Sequence, residues 1–276
     1  MKLPTIIKQE PLSVAAGVAK LFKVQLARTP RPVLLKEPLN FWDEVYIANE
    51  ARLLDEITHP RVRRKLAFDA PAHRLYLEYI EAATLQDLVV SGVTRQAPGR
   101  THRILQGVAE TVADLQAGIF CSRPVIHNDL KSLNVLVPAA APNDVVLIDF
   151  SHSYFEGSPP AFITDQKHNP AGTAKYTAPE KWAGDYGHGR ESEIFAFGVL
   201  AYYAYTGRHP FDGEAAPLEQ QIREVTPPTP IQLGVNVPRN LQAIVMACLE
   251  KSPSQRPSLD YVARCYAESA GLFQPE

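Results

Sequence analysis

Two short apolar runs joined by a turn constrain the fold of this chain more than any other feature. Residues 135–137 and 145–148 are all valine, leucine or isoleucine, and the connection between them contains proline, asparagine and aspartate. This pattern predicts a β-hairpin. The two ends of a hairpin face each other, so Asn134 and Asp149, which flank the two runs, should have Cα atoms about 5 Å apart if they pair directly.

A third polar residue, Asp129, lies on the loop that leads into the same end of the hairpin. Two carboxylates and one amide oxygen in one place predict a site for Mg²⁺, because this hard cation prefers oxygen ligands. A site of this kind is typical of phosphoryl transfer.

The residues around this hairpin resemble the catalytic loop and the metal-binding motif of eukaryotic-type (Hanks-type) serine/threonine protein kinases. The family motifs are His-Arg-Asp-x-x-x-x-Asn and Asp-Phe-Gly. This chain has His127-Asn128-Asp129, then Asn134, and later Asp149-Phe150-Ser151.

Further family landmarks follow in the expected order. Residues 172–180 resemble the end of a kinase activation segment, which closes with Ala-Pro-Glu. Residues 192–198 resemble the start of the buried helix that supports the catalytic loop, and Arg256 resembles the arginine that pairs with Glu180. This ordered set extends the resemblance over nearly the full chain.

The resemblance implies an α+β, protein-kinase-like bilobal fold, with a small β-rich N-lobe that contains one long helix and a larger, mainly α-helical C-lobe. We expect a single kinase domain over residues 1–276, with the N-lobe at 1–80, the hinge at 81–83 and the C-lobe at 84–276. The periodicity of apolar residues agrees with this division. It predicts strands at 20–26, 31–36, 65–68 and 75–79, and helices at 41–57, 84–90, 101–120, 192–205, 218–225, 240–249 and 259–270.

The resemblance also assigns the chemistry to particular residues. Asp129 is the expected base, or positioning group, for the substrate hydroxyl, and Lys131 is expected to contact the transferred phosphoryl group. Asn134 and Asp149 are the expected metal ligands. The implied cofactors are ATP and Mg²⁺, with Mn²⁺ as an alternative, and the implied partners are protein substrates.

Lys36 and a glutamate of the following helix complete the expected catalytic set. Lys36 ends the apolar run 33–35, and the family lysine at this position contacts the α- and β-phosphates while it pairs with a helix glutamate. Glu50 is the preferred partner because its spacing to His59-Pro60 matches the family helix, and Glu44 is the alternative.

The implied nucleotide pocket has an unusual phosphate loop. The expected nucleotide-binding residues are Val14, Ala16 and Ala19 in the phosphate loop, Leu21, Leu34 and Leu136 around the base, Lys36 at the phosphates, Leu77 as gatekeeper, and Glu78 and Ile80 in the adenine-reading segment. The family uses three glycines in the loop, because its backbone N–H groups must approach phosphate closely. Here only Gly17 is present and it is out of register, so we expect weakened but not abolished ATP binding.

Three further departures affect residues around the catalytic loop. Asn128 replaces the arginine that usually clamps a phosphorylated activation segment, so we expect activity not to depend on phosphorylation of Thr164, Thr173 or their neighbours. Ser151 replaces a glycine and is expected to make the metal motif change conformation less readily. Glu193 replaces an aspartate and is expected to keep its role as an acceptor.

Net charge, cysteine content and the length of apolar runs limit the classes of binding partner and the cellular compartment that we expect. A net charge of −2 gives no indication of general binding to nucleic acid or to membranes, and the basic run 61–65 is interpreted as a solvated loop. Three cysteines, far apart in sequence, favour a reducing environment over a disulfide frame or a zinc site. The longest apolar run, 194–205, is too short to span a bilayer. We therefore expect a cytoplasmic protein without membrane insertion, and its oligomeric state stays open.

Three functions remain to be compared. The leading one is an active kinase of serine and threonine, since Lys131 and Thr173 are typical of that specificity. The second is a pseudokinase that acts as a nucleotide-binding scaffold, which the altered loop residues favour. The third is a small-molecule phosphotransferase, a class that generally lacks the peptide platform at residues 172–180.

Overall fold

The structure is a computed structural model, and it describes residues 5–12, 19–27, 29–158, 174–185, 187–214 and 216–272. The described part of the chain begins with a five-stranded antiparallel sheet in the order β1-β2-β3-β5-β4. These strands are β1 (Ile6–Pro11), β2 (Lys20–Leu26), β3 (Val33–Glu37), β4 (Lys65–Asp69) and β5 (Arg74–Glu78). Register pairs Leu34 with Leu77 and Leu21 with Lys36.

One long helix, α1 (Phe41–Leu54), packs against this sheet. The side chain of Asn40 accepts hydrogen bonds from the backbone nitrogens of Trp42 and Asp43, and it thereby caps the first turn. The helix buries Ile47 and Leu53 in the core. It ends three residues before the predicted end, and Ile57 beyond it forms a bridge with Cys121.

The second part of the described chain is mainly helical. Its helices are α2 (Leu85–Val90), α3 (Val93–Gln96), α4 (Pro98–Ala117), α5 (Pro179–Trp182), α6 (Gly189–Thr206), α7 (Leu218–Glu224), α8 (Arg239–Cys248) and α9 (Leu259–Glu268). Helix α6 is buried from Ser192 to Thr206, as expected of a helix that is apolar on all sides. Helix α4 begins three residues earlier than predicted, because Pro98 suits the first turn, and it ends at Gly118, whose φ is 75°.

Short strands connect the two parts and form the predicted hairpin. Strands β6 (Ala82–Thr84), β8 (Val135–Pro138) and β9 (Val146–Leu147) make a three-stranded sheet, and β7 (Val125–Ile126) pairs with β10 (Tyr154–Phe155). In the hairpin, Val135 lies opposite Leu147. The hairpin prediction is confirmed, although β9 is shorter than the apolar run.

The arrangement confirms the predicted fold class, an α+β fold with a β-rich first part and a mainly helical second part. The predicted strand 20–26 matches β2 exactly in its bounds. Strands β1, β6, β7 and β10 were not predicted. Across the ranges described above, no helix combines the length and apolar character needed to cross a bilayer.

Candidate active site

A partly buried cluster of one cation and two carboxylates lies between the sheet and the hairpin. The ammonium of Lys36 donates to Glu50 Oε2 at 2.7 Å and to Asp149 Oδ1 at 2.9 Å. These residues come from β3, from α1 and from the residues just after β9, so three distant segments meet at one nitrogen. Glu44, the alternative partner, instead lies 3.9 Å from His73. The structure therefore pairs Lys36 with Glu50.

Opposite charges determine the protonation of this cluster. Burial alone would raise the pKa of Asp149, but the Lys36 ammonium outweighs burial and holds this pKa well below its usual range. Burial alone would lower the pKa of Lys36, but the carboxylates of Asp149 and Glu50 hold it above its usual value. Lys36 and Asp149 therefore both carry charge at neutral pH.

The loop between β7 and β8 brings three more of the candidate residues together. Asp129 Oδ2 accepts a hydrogen bond from Lys131 Nζ at 2.6 Å and another from Asn134 Nδ2 at 2.9 Å. Asn134 Nδ2 also donates to the backbone oxygen of Asp129 at 2.8 Å. Two side chains thus fix the orientation of the Asp129 carboxylate.

The hairpin places Asn134 beside Asp149. The backbone nitrogen of Ile148 donates to the backbone oxygen of Asn134 at 3.0 Å, so the residues that flank the two strands are neighbours. The side chain of Asn134 makes its described hydrogen bonds through Nδ2, which leaves Oδ1 for a cation. Mg²⁺ usually takes one or two oxygens from the protein and the rest from phosphate and water. Asn134 and Asp149 would supply two such oxygens. Among the described residues, no group of three His, Cys, Asp or Glu side chains could hold a metal ion without other ligands.

Helix α1 is tied to the metal motif by contacts that sequence reasoning missed. Glu50 Oε1 accepts from the backbone nitrogen of Phe150 at 3.2 Å. Asn49 Nδ2 donates to the backbone oxygens of Ser151 and Ser153 at 3.0 and 2.9 Å. Asn49 and Glu50 are adjacent polar residues of α1, and both are buried.

Two aromatic contacts add to this connection. The rings of Tyr46 and His152 stack with centroids 4.7 Å apart. The rings of His127 and Phe150 have centroids 4.6 Å apart and are tilted by 57°, and Leu54 is buried in the same core as Phe150. His127 also lies within hydrogen-bond distance of the backbone oxygen of Ile148, at 3.1 Å.

The candidate nucleotide-binding residues are only partly described. Val14, Ala16 and Gly17 lie outside the described residues, as do Thr164 and Thr173. Leu34, Leu77 and Leu136 are buried, and Ala19, Leu21, Glu78 and Ile80 are half-buried. The Glu78 carboxylate pairs with Arg64 at 3.1 Å, and the backbone nitrogen of Glu78 donates to the backbone oxygen of Arg64 at 3.0 Å.

The departures from the family pattern each have a defined environment. Glu193 Oε1 accepts from the backbone nitrogen of Asn128 at 2.9 Å and Oε2 accepts from Gln116 Nε2 at 2.8 Å, so it acts as an acceptor. Burial raises the pKa of Glu193. Positive φ angles occur at Asn128, 63°, and at Asp149, 64°, whereas Ser151 is buried without one.

The basic run 61–65 is not the solvated loop that was expected. Arg61 pairs with Glu110 and Asp144, and Arg64 pairs with Glu78. Arg63 is half-buried near Glu50 and Asp149, loss of solvation lowers its pKa to about 10, and its Nε is buried without a hydrogen-bond partner among the described residues. Charge density alone could not show that Arg61 and Arg64 pair with carboxylates whereas the Nε of Arg63 has no described partner.

The predicted pair between Glu180 and Arg256 is present. Two guanidinium nitrogens of Arg256 donate to the two carboxylate oxygens of Glu180, each at 2.8 Å. Ser192 Oγ donates to the same carboxylate at 2.6 Å. Burial alone would raise the pKa of Glu180, but these hydrogen bonds outweigh it and lower the pKa. The pair holds α5 against α6.

Comparison with known proteins identifies similarity to protein kinases. The family profile of the protein kinase domain matches residues 34–266. The chain is 32% identical over 217 residues to serine/threonine-protein kinase pkn2 of Myxococcus xanthus, which covers 75% of this chain and 25% of the relative.

Two other relatives are similar at lower identity. Serine/threonine-protein kinase PknB of Mycobacterium tuberculosis is 28% identical over 189 residues, covering 67% of this chain and 28% of the relative. Serine/threonine-protein kinase pkn3 of Myxococcus xanthus is 27% identical over 274 residues, covering 90% of this chain and 47% of the relative. The chain therefore spans a quarter to a half of the length of these relatives.

Proposed function

The chain belongs to the Hanks-type serine/threonine protein kinase family, and from this premise we propose that it transfers the γ-phosphoryl group of ATP to serine or threonine hydroxyls of protein substrates. The observation that carries the proposal is the Lys36 ammonium held between Glu50 and Asp149 at 2.7 and 2.9 Å. This geometry fixes a cation at the side of the cleft where phosphates would bind. It requires α1, β3 and the metal motif to be in place at the same time.

The residues of the chain would divide the work as follows. Lys36 would bind the α- and β-phosphates, because its charge is retained and its position is fixed from two sides. Asp129 would accept or orient the proton of the substrate hydroxyl. Lys131, hydrogen-bonded to Asp129 at 2.6 Å, would place its charge at the transferred group. Positioning and charge supply most of the catalysis in such reactions.

Asn134 and Asp149 would hold Mg²⁺, or Mn²⁺ in its place. The metal, when bound, would neutralise negative charge on the β- and γ-phosphates. Asp149 has the low pKa that a metal ligand needs, since it must bind as a carboxylate. We further propose that the domain spans 1–276 with its lobes divided at residues 81–83, where β6 follows the sheet of the N-lobe.

A pseudokinase scaffold is the second candidate function. Asn128, Ser151 and Glu193 favour it as departures from the family pattern. Against it, Glu193 keeps its acceptor role towards the backbone of Asn128. All six residues of the expected chemical set are also present, so we rank the active enzyme first.

A phosphotransfer assay with radiolabelled ATP, Mg²⁺ and a generic protein acceptor tests the proposal. The wild type should label the acceptor, Asp149→Ala should not, and the surface variant Asp260→Ala should match the wild type. Excess EDTA should stop the reaction, and added Mg²⁺ should restore it. If the wild type labels no acceptor but still binds nucleotide in calorimetry, the proposed kinase activity is wrong and the pseudokinase scaffold is the better interpretation.

A further inference from the structure

A lysine outside the expected catalytic set is hydrogen-bonded to the catalytic loop. Lys181 lies in α5, directly after Glu180, and its ammonium donates to Asn128 Oδ1. Asn128 occupies the position of the family arginine, which normally brings a positive charge to this part of the loop. In this chain the cation comes from α5.

Asn128 uses its backbone nitrogen and both polar atoms of its side chain to connect separate elements. Its backbone nitrogen donates to Glu193 of α6 at 2.9 Å, and its Nδ2 donates to the backbone oxygen of His152 at 3.1 Å. Its Oδ1 accepts from Lys181 of α5. Its φ of 63° is in the left-handed region, where asparagine is among the residues best tolerated. The residue next to Asp129 is thus held from three directions.

The charges around Lys181 explain why a cation is needed there. Three carboxylates act on it electrostatically, those of Glu193, Glu180 and Asp129. Glu193 is buried and burial raises its pKa, so an unopposed second charge nearby would be costly. Lys181 is itself half-buried, and its partial removal from solvent lowers its pKa. Its ammonium offsets the buried negative charge beneath the loop.

Helix α5 is a firm support for such a contact. Arg256 holds Glu180 through two hydrogen bonds of 2.8 Å, and Ser192 adds a third. Lys181, the next residue, is therefore presented from a fixed backbone. Two steps, from Arg256 to α5 and from Lys181 to Asn128, connect the late part of the chain to Asp129.

We propose that Lys181 is a positioning residue for phosphoryl transfer, which holds Asn128 and thereby Asp129 in their working geometry without a bound phosphate. The inference rests on the proposed kinase function. Lys181 takes over, within the protein, the task that an arginine and a phosphorylated segment perform together in the family pattern. In this chain the cation, Lys181, lies in α5, and the group that accepts its hydrogen bond, Asn128, lies in the catalytic loop.

The test uses the full chain after phosphatase treatment and measures kcat and KM in the same assay. The variants are Lys181→Met, Lys181→Arg, Asn128→Ala and the double variant Lys181→Met/Asn128→Ala. Lys251→Met is the matched control, because Lys251 also donates its ammonium to another element, at 2.6 Å to the backbone oxygen of Ile222 in α7. The control reports the general cost of removing such a lysine.

We expect Lys181→Met and Asn128→Ala each to lower kcat about ten- to a hundredfold, because a small displacement of a catalytic group lowers the reaction rate by about this factor. The KM for ATP should change little. The double variant should be no slower than the slower single variant, since both substitutions remove the same hydrogen bond between Lys181 and Asn128. Lys181→Arg, which keeps the charge, should recover most of kcat. A kcat of Lys181→Met equal to that of Lys251→Met would overturn the proposal, as would losses that multiply in the double variant.

Amide hydrogen exchange separates this inference from the proposed function. Residues 127–131 should exchange about tenfold faster in Lys181→Met than in Lys251→Met, because local opening of the loop becomes easier. Unchanged exchange would refute the link itself. Transfer by none of the proteins, wild type included, would instead refute the proposed function.

Discussion

Removal of the Lys36 ammonium should destabilise the fold by a predictable amount. Lys36→Met leaves Glu50 and Asp149 as two carboxylates without their shared cation. Breaking a buried ion pair from one side typically costs about 3–5 kcal/mol. The Glu50 side chain is 3% exposed and that of Asp149 is 32% exposed, so water will offset part of the cost at Asp149. We therefore expect a loss of about 3 kcal/mol at pH 7.5, at the lower end of that range.

The pH dependence identifies the cause of the loss. In the wild type the pKa of Asp149 is lowered, so its contribution to stability is present above the unfolded value of about 4 and is lost only as pH falls through the lowered pKa. In Lys36→Met the largest opposition to burial is removed, and only His152 and Ser151 still oppose it, so the pKa of Asp149 should rise. The ionised carboxylate then costs stability above about pH 4, and this cost shrinks as pH falls. The difference between the two proteins should therefore be smaller at pH 5 than at pH 7.5.

Urea denaturation followed by circular dichroism, at both pH values, measures these free energies. The double variant Lys36→Met/Glu50→Gln removes one orphaned charge and should recover at least about 1 kcal/mol, since a neutral amide is less costly to bury than an unpaired carboxylate. A Lys36→Met protein within about 0.5 kcal/mol of the wild type would refute the reasoning, because that is the range of an ordinary surface substitution. A difference independent of pH would refute the assignment to Asp149.

Three further predictions concern the C-terminal part of the chain. Arg256→Met should lower the free energy of unfolding by about 3–5 kcal/mol in urea titrations, because it orphans a buried carboxylate, whereas the exposed Arg264→Met should change it by less than about 0.5 kcal/mol. Gly198→Ala should lower the melting temperature, because its Cβ would lie 2.8 Å from a Cys248 atom, while Gly271→Ala, which meets open space, should not. Burial lowers the pKa of His209 to about 4, so the unfolded chain binds a proton that the folded one resists. Stability should therefore fall as pH drops from about 6.5 towards 4, and His209→Phe should flatten this slope in thermal melts; an unchanged slope would contradict the assignment.

Local patterns account for what could be predicted from the sequence. Strand β2 and the hairpin follow from runs of β-branched residues between turn residues, and both are short-range signals. Lys36, Glu50 and Asp149 were predicted to meet because each occupies a position of a family motif whose residues share one site. The end of α1 was missed by three residues, since it depends on a bridge from Ile57 to Cys121, which lies 64 positions later in the chain.

The residues that were not predicted all act through contacts between distant elements. Asn49 meets a backbone oxygen 102 positions away, and Lys181 meets Asn128 across 53 positions. Neither contact has a periodic or compositional signature, because each depends on how two elements pack. Arg63 illustrates the same limit, because Arg61 and Arg64 pair with carboxylates whereas the Nε of Arg63 is buried without a described partner.

The attachment of α1 to the metal motif has a consequence for inhibitor chemistry. Compounds that need Phe150 turned out of the core would have to break the hydrogen bonds from Phe150 to Glu50 and from Asn49 to two backbone oxygens. At about 1 kcal/mol for each hydrogen bond, such compounds would lose about a hundredfold in affinity relative to those that accept the present arrangement. Selective ligands for this chain should therefore be sought among molecules that fill the cleft as it stands.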